Sequence, residues 1–345
     1  MVHEFHIPVM GLAYTIDSPV KVARFGISSV ISIIEDRLIE MMRKHYYTER
    51  HEPYIPISSK EEDYRARRIT DYLNLVNRMV QEQVEKLRTA AFETGSDIVK
   101  YFEMLPDKSA VKQLYLQFRS ATSAESRAAM EAKLRALIAP GAIDVNIMTK
   151  TDKNNYGKDG QPIEDGSDAV AALRGYANSD LCGSSIVFSA GMNPRLYGYL
   201  EKCRQFDADA GGVMQKKVVV KVSDYRSALI QGKFLAKKGI WVSEFRIESG
   251  LNCGGHAFAT DGMLMGPILE EFRTGKTELC NALFQLYTDA LRKRDAHIPP
   301  ARRPWSSRRR AASGATLSTT CSANITNWAP PAGEPRSSSC PKPLP

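Results

Sequence analysis

The apolar positions of this chain change their period several times. Residues 7–34 read in short blocks: IPVMGLAYTI opens on an apolar run that predicts a first strand, and Ser18-Pro19 supplies a helix start with proline at the first helical position. After Gly26 the β-branched run Val30-Ile31-Ser32-Ile33-Ile34 predicts a buried strand, followed at once by a helix over Asp36 to Lys44. Ile69, Leu73, Val76, Val80, Val84 and Leu87 then recur at steps of three and four, one apolar face of a long helix. Thr122-Ser-Ala-Glu125 fits a capping box ahead of Met130, Leu134 and Leu137.

Strands resume after this helical block, at Ala142 to Met148, Ser184 to Ser189, Lys217 to Val222 and Ile240 to Ile247. Helices are predicted over Pro194 to Lys202, Tyr225 to Lys238 and Met263 to Phe272. Strands alternating with helices imply an α/β fold with a parallel sheet or barrel. Six strand units are countable, two short of an eight-stranded barrel, and residues 60 to 137 form a helical insertion. No internal repeat of solenoid length is present.

Composition alters this picture mainly at one end. The chain has 345 residues and a net charge of +8. Residues 299 to 345 carry seven basic groups against Glu334 alone, which leaves 40 basic and 38 acidic groups in the other 298. That end also holds nine of the 18 prolines, so the body spans 1–298 and 299–345 is a basic, Pro/Ser-rich tail. Its basic residues are interleaved with few aromatics, which argues against a nucleic-acid partner. No apolar run approaches membrane-spanning length, and the start MVHEFHIPVM lacks a signal-peptide pattern, so a cytoplasmic location with no membrane partner is expected. Six cysteines without any Cys-x-x-Cys are expected to be reduced thiols and not metal ligands.

Two apparent motifs fail on their spacing. Thr274-Gly275-Lys276-Thr277 resembles the end of a phosphate-binding loop, but Glu270 stands where the loop's first glycine belongs. Asp152-Lys-Asn154-Asn-Tyr156-Gly157 begins like a calcium loop, yet Ile163 replaces the bidentate glutamate. No G-x-G-x-x-G follows a strand, so a dinucleotide-binding fold has no support. The stretch that can carry chemistry is Glu248-Ser-Gly250-Leu-Asn-Cys253-Gly254-Gly255-His256-Ala-Phe258, just after a predicted strand. Paired glycines let backbone N–H groups approach a ring or phosphate, and a histidine beside them can act as a base at neutral pH. A tight turn holding a structural histidine is the plainer reading of the same residues.

GLNCGGHAF resembles the Gly-x-(Glu/Asn)-Ala-Gly-Gly-His segment of the nitronate monooxygenase (2-nitropropane dioxygenase-like) family, FMN-dependent TIM barrels that include the flavin-dependent enoyl-acyl carrier protein reductases. Other segments are similar to family elements in order: IPVMG and SPVKVARFGISSVIS to the first strand, helix and second strand, AIDVNI to the third strand, SSIVFSAGMNPRLYGYLEK and KVVVKVSDYRSALIQGKFLAKKGI to the next two units. The resemblance implies a (β/α)8 barrel, here incomplete, with strands seven and eight missing. It implies His256 as catalytic base, with FMN lined by Met10, Gly11, Asn146, Gly250, Gly254 and Gly255, and by Lys221 at the end of the fifth strand. Cys253 stands in place of the usual alanine. The expected substrate is a small nitronate-like molecule, and the insertion is a candidate lid or homo-oligomer contact.

The family's phosphate-binding elements, Gly-Gly-Ile and Gly-Thr-x-Phe, do not occur in the tail as written. Read one base out of frame, the codon junctions from Trp305 to Gly314 permit a Gly-Gly-Ile, and those from Ala332 to Pro345 permit a Gly-Thr-Pro-Phe. The tail is therefore either a disordered basic segment or out-of-frame translation of the closing strands, and the second reading implies weak FMN binding and an inactive chain. Two alternatives stand beside the monooxygenase reading: an enoyl-thioester reductase using NAD(P)H, and a non-catalytic binding protein with a basic tail.

Overall fold

The computed structural model describes residues 3, 5–10, 13–33, 35–147, 152–157, 159–188, 191–209, 211–248, 252–253, 256–257, 265–299 and 306–309, with the backbone alone for residues 13, 252–253, 256–257 and 306–309. The chain divides into two compact units, residues 1–206 with 216–218, and residues 207–215 with 219–345. Both are α/β.

In the first unit, four strands lie in the order β1 (His6–Ile7), β2 (Ser28–Ile33), β3 (Ile143–Ile147) and β4 (Ser184–Phe188). Each neighbouring pair is parallel. The register sets Ser32 against Asn146 and Asn146 against Val187. Helix α1 (Ser18–Val22) carries Pro19 in its first turn, as its fixed φ favours. The chain then turns at Gly26, whose φ of +76° closes a 3-10 turn on Ala23 O and admits a left-handed residue only glycine takes cheaply.

The segment between β2 and β3 is helical, in α2 (Asp36–Glu49), α3 (Tyr64–Thr89), α4 (Asp97–Glu103), α5 (Ala110–Ser120) and α6 (Ala124–Leu137). The predicted face of α3 is its buried face: Ile69, Leu73, Val76, Val80 and Val84 have no exposure and Leu87 has 3%. Its C-terminal half joins α4–α6 around Tyr101, Phe102, Tyr115, Phe118 and Leu134, a separate small core within the insertion. The capping residue of α6 is Ser123, which accepts from Ser126 N–H at 3.4 Å, one position later than the box centred on Thr122 predicts.

Helix α7 (Asp168–Ala177) follows β3 and packs along α3, and α8 (Pro194–Tyr199) follows β4. The sequence pattern does not predict α7: eight of its ten residues are buried, so it lacks the polar face that a 3.6-residue period needs. Gly175 permits its close approach to α3, because a Cβ there would lie 2.8 Å from Ala66 O and from Ile69 Cβ.

The second unit holds most of β5 (Lys216–Val222), then α9 (Tyr225–Lys237), β6 (Val242–Ile247), a hairpin of β7 (Asn252–Cys253) and β8 (His256–Ala257), α10 (Met265–Lys293) and β9 (Ser306–Arg309). Strands β5, β6 and β9 are neighbours in that order, and Glu248 N–H donates to Val222 O at 2.9 Å. Helix α10 runs twenty-one residues beyond the predicted end at Phe272. Gly275 lies within it, where Tyr225 OH donates to Gly275 O at 3.0 Å and the ring fills the space of a missing Cβ. Strand β9 pairs parallel with Glu244–Ile247 and belongs to the stretch assigned above to the tail. An open parallel edge accepts any extended backbone, since the ladder uses main-chain groups only. The expectation that no seventh strand follows β6 is therefore corrected to one short partner.

The expectation of six reduced thiols also changes. Cys203 and Cys280 are thiols outside any disulfide, whereas Cys182 is disulfide-bonded. No described helix is long and apolar enough to cross a membrane.

Candidate functional site

Residues of a strand point alternately to its two faces. In the first unit one face presents Ile31, Ile33, Val145, Ile147, Ile186 and Phe188, all buried and apolar. The other presents His6, Ser28, Ser32, Asp144 and Asn146, also buried. Apolar side chains dominate one side of these strands, with Ser29 among them, and most of the hydrogen-bonding groups lie on the other beside Val30 and Val187.

Most of those groups are satisfied. His6 Nδ1 and Ser28 Oγ lie 2.8 Å apart, and Asp144 Oδ1 accepts from Ser185 N–H at 3.0 Å. Asn146 differs. Its Nδ2 donates to Ser32 Oγ at a long 3.4 Å, and its Oδ1 is buried with no hydrogen-bond partner. A buried acceptor without a donor costs on the order of 1–3 kcal/mol, so its persistence marks a place where a ligand or water N–H or O–H belongs. Asn146 is the penultimate residue of β3, at the C-terminal end where parallel α/β folds collect their functional groups.

The second unit repeats the pattern with full charges. Glu244 and Arg246 alternate along β6, and Glu248 follows in the same phase. They are 6%, 8% and 6% exposed, and Lys221 on β5 is 9% exposed. Lys221 Nζ lies 3.2 Å from Glu248 Oε1, and Arg246 Nε donates to Glu244 Oε1 at 2.8 Å. Burying four charges on neighbouring strands is costly even when they pair, and such sets are retained where specificity or chemistry needs them.

The other residues implied by the resemblance fall as follows. Met10 is 67% exposed, and its N–H donates to Thr15 Oγ1 at 3.0 Å. Gly11, Gly250, Gly254 and Gly255 lie outside the described residues. His256 is described by its backbone: it begins β8, antiparallel to β7, and pairs with Cys253. Two residues connect those strands, a loop length for which Gly-Gly is a favoured sequence. Met10 and Asn146 belong to the first unit, and Lys221 and His256 to the second.

Sequence pattern misses Glu244 and Arg246. The signal is present, since charges at alternate positions of WVSEFRIE mark one face of an otherwise apolar strand, but a run read only for its β-branched residues hides it. Asp152, at the head of the rejected calcium loop, is held by Arg195, Asn193 and the Ala169 N–H, which keep its carboxyl below its ordinary value against the opposing effect of burial. Thr274–Thr277, the rejected phosphate loop, lies inside α10. No family model, curated protein or solved structure matches the chain.

Proposed function

We propose that the chain is an FMN-dependent oxidoreductase of the nitronate monooxygenase type, built on a barrel-type α/β framework and acting on a small nitronate-like molecule. The observation that supports this most is Asn146. It occupies the position that resembles the family's third-strand asparagine, and its Oδ1 is a buried acceptor waiting for a donor. The ring imide N–H of a flavin is a donor of the right kind, so the residue fits the group. Lys221 can also serve such a ligand, though it shares its charge with Glu248.

In this reading Asn146 Oδ1 orients the ring, and Lys221 supplies positive charge at the end of its strand. Met10 offers an exposed side chain after β1. His256 removes the proton from the carbon bearing nitrogen when the neutral nitro compound is the form that binds; a nitronate arrives without that proton and needs no base. Bound FMN would supply two-electron redox chemistry and reactivity with dioxygen.

The test uses the protein with its end rewritten in the frame that spells Gly-Gly-Ile and Gly-Thr-Pro-Phe. Expected are a yellow protein, oxygen uptake with a nitronate that needs no NAD(P)H, and uptake with the parent neutral nitroalkane that collapses in His256→Ala. A colourless protein sinks the flavin reading. NAD(P)H consumption with an enoyl thioester, without nitronate oxidation, would assign the chain to the reductases instead.

A further inference from the structure

Helices α2, α3 and α7 run parallel. At their beginnings Arg68 of α3 pairs with Asp36 of α2, and Arg65 of α3 donates from Nε to Asp168 O of α7 at 3.1 Å. Further along, Arg50 reaches Glu82 at 2.9 Å, and Asn74 accepts from Asp180 N–H at 2.7 Å. Three helices of 14, 26 and 10 residues thus gather their N-termini beside one another, on the side of the C-terminal ends of β2 and β3. Each N-terminus contributes partial positive charge, and at α7 the N–H groups of Asp168, Ala169 and Val170 are held by Lys153 O, Asp152 Oδ1 and Ser167 Oγ.

Into this region projects Arg65, only 8% exposed. Its Nε–H has the carbonyl of Asp168. Among the described residues neither Nη atom has an acceptor and the guanidinium forms no ion pair, and neither Nη is fully buried. The contrast with its neighbours is direct. Arg43 is held by Asp71 and Glu40, each at 2.6 Å, and Arg68 by Asp36 and by Glu40 at 3.2 Å. The carboxylates within reach serve those two arginines. Asp63 is taken by Arg174, and Asp168 Oδ1 accepts from Asn155 at 2.9 Å. Beside Arg65, Asp36 Oδ1 is buried without a partner. Burial holds this carboxyl above its ordinary value, while the charges of Arg68 and Arg65 pull it back.

We propose that Arg65 anchors a binding site for a planar two-oxygen anion, a carboxylate or a nitronate, at the joined N-termini of α2, α3 and α7. With Nε engaged, the free edge of the guanidinium is the Nη1–Nη2 edge, which presents two parallel N–H donors. That fork matches two oxygens on one planar centre. A guanidinium edge open to solvent and without a carboxylate partner among the described residues is available to a ligand anion. Asp36 Oδ1 takes a donor carried by the rest of the ligand. The nitronate form of the proposal rests on the function proposed above; the carboxylate form does not.

The experiment measures thermal unfolding and calorimetric titration of the full chain with propionate and with propane-1-nitronate, against chloride at equal ionic strength and without flavin. Expected is a saturable rise in the unfolding midpoint with one or both anions. In Arg65→Gln the rise vanishes and binding weakens more than about tenfold. Arg67→Gln, on the exposed side of the same helix, keeps the response. A wild-type chain that responds no more than to chloride overturns the proposal, as does an Arg65→Gln chain that responds like wild type. Should Arg65→Gln not fold, Arg65→Lys decides: it keeps the charge but not the fork, so weakened binding supports the site and unchanged binding overturns it. Preference between the two anions identifies the source of the ligand. Because the assay contains neither flavin nor turnover, its failure leaves the flavin reading standing, and a colourless protein leaves this site standing.

Discussion

Lys216 Nζ donates to Ser179 O at 2.7 Å, and the same ammonium reaches Leu181 O at 3.0 Å and Tyr176 O at 3.1 Å. A single lysine at the start of β5 thereby closes the C-terminal end of α7, where carbonyls have no intrahelical donor and a cation is favoured. Burial pushes the amine down to about 8, against a smaller opposing effect of Asp180.

The depressed value makes a signed prediction. Below pH 8 both folded and unfolded chains hold the proton, and the cost of burying the ammonium is fully present. Between pH 8 and the ordinary value of 10.5 the unfolded chain binds more protons than the folded one, so stability from this group rises with pH. The gain amounts to about 3 kcal/mol at most. Lys216→Met takes this donor from the Ser179 and Leu181 carbonyls, while Tyr176 O keeps the N–H and hydroxyl of Ser179, and costs roughly 1–3 kcal/mol at neutral pH. Urea unfolding of both proteins at pH 7.5 and pH 10 should show the wild type gaining on the variant; a difference that stays flat contradicts the assignment.

The contact of α7 with α3 depends on Gly175. Alanine there gains about 1 kcal/mol in helix propensity, but its Cβ would press on Ala66 O and Ile69 at 2.8 Å. Overpacking of that kind costs about 1–3 kcal/mol. Gly175→Ala should therefore lower the unfolding midpoint, whereas Gly198→Ala in α8, where nothing lies within 4 Å, should leave it equal or higher. Equal effects at the two sites would show that the helices are not in close contact at Gly175.

These two helices also show which parts of the fold could be read from sequence. The apolar face of α3 was legible because its other face meets solvent or charge, which produces the period of three and four. Helix α7 was not, since Ala169, Val170, Ala171, Ala172 and Leu173 are all buried and no face alternates. The length of α10 was hidden by Gly275, a residue that ends helices unless a ring such as Tyr225 packs where its Cβ would be. Asn146 entered through a resemblance, and its burial and open Oδ1 are properties of the register of β2 and β3. Arg65 gave no signal at all. An arginine in a first helical turn looks like a surface residue until helices separated by some hundred positions assemble around it.

Glu244 and Arg246 supply the last prediction, because paired burial and functional burial answer differently to mutation. The two side chains are 7% and 10% exposed, with 2.8 Å between Arg246 Nε and Glu244 Oε1. Removing one partner leaves the other charge buried and is expected to cost about 3–5 kcal/mol. Arg246→Met or Glu244→Leu alone should thus approach the stability limit of a marginal domain. The double variant buries two apolar chains in their place and should recover most of that loss, with a coupling of about 0.5–3 kcal/mol in the double-mutant cycle. Strictly additive losses would mean that each side chain is held by different groups and that the pair is not a unit. A double variant more stable than wild type, with Lys221 and Glu248 left in place, would show that the charges cost the fold stability, as expected of a strand face kept polar for a ligand.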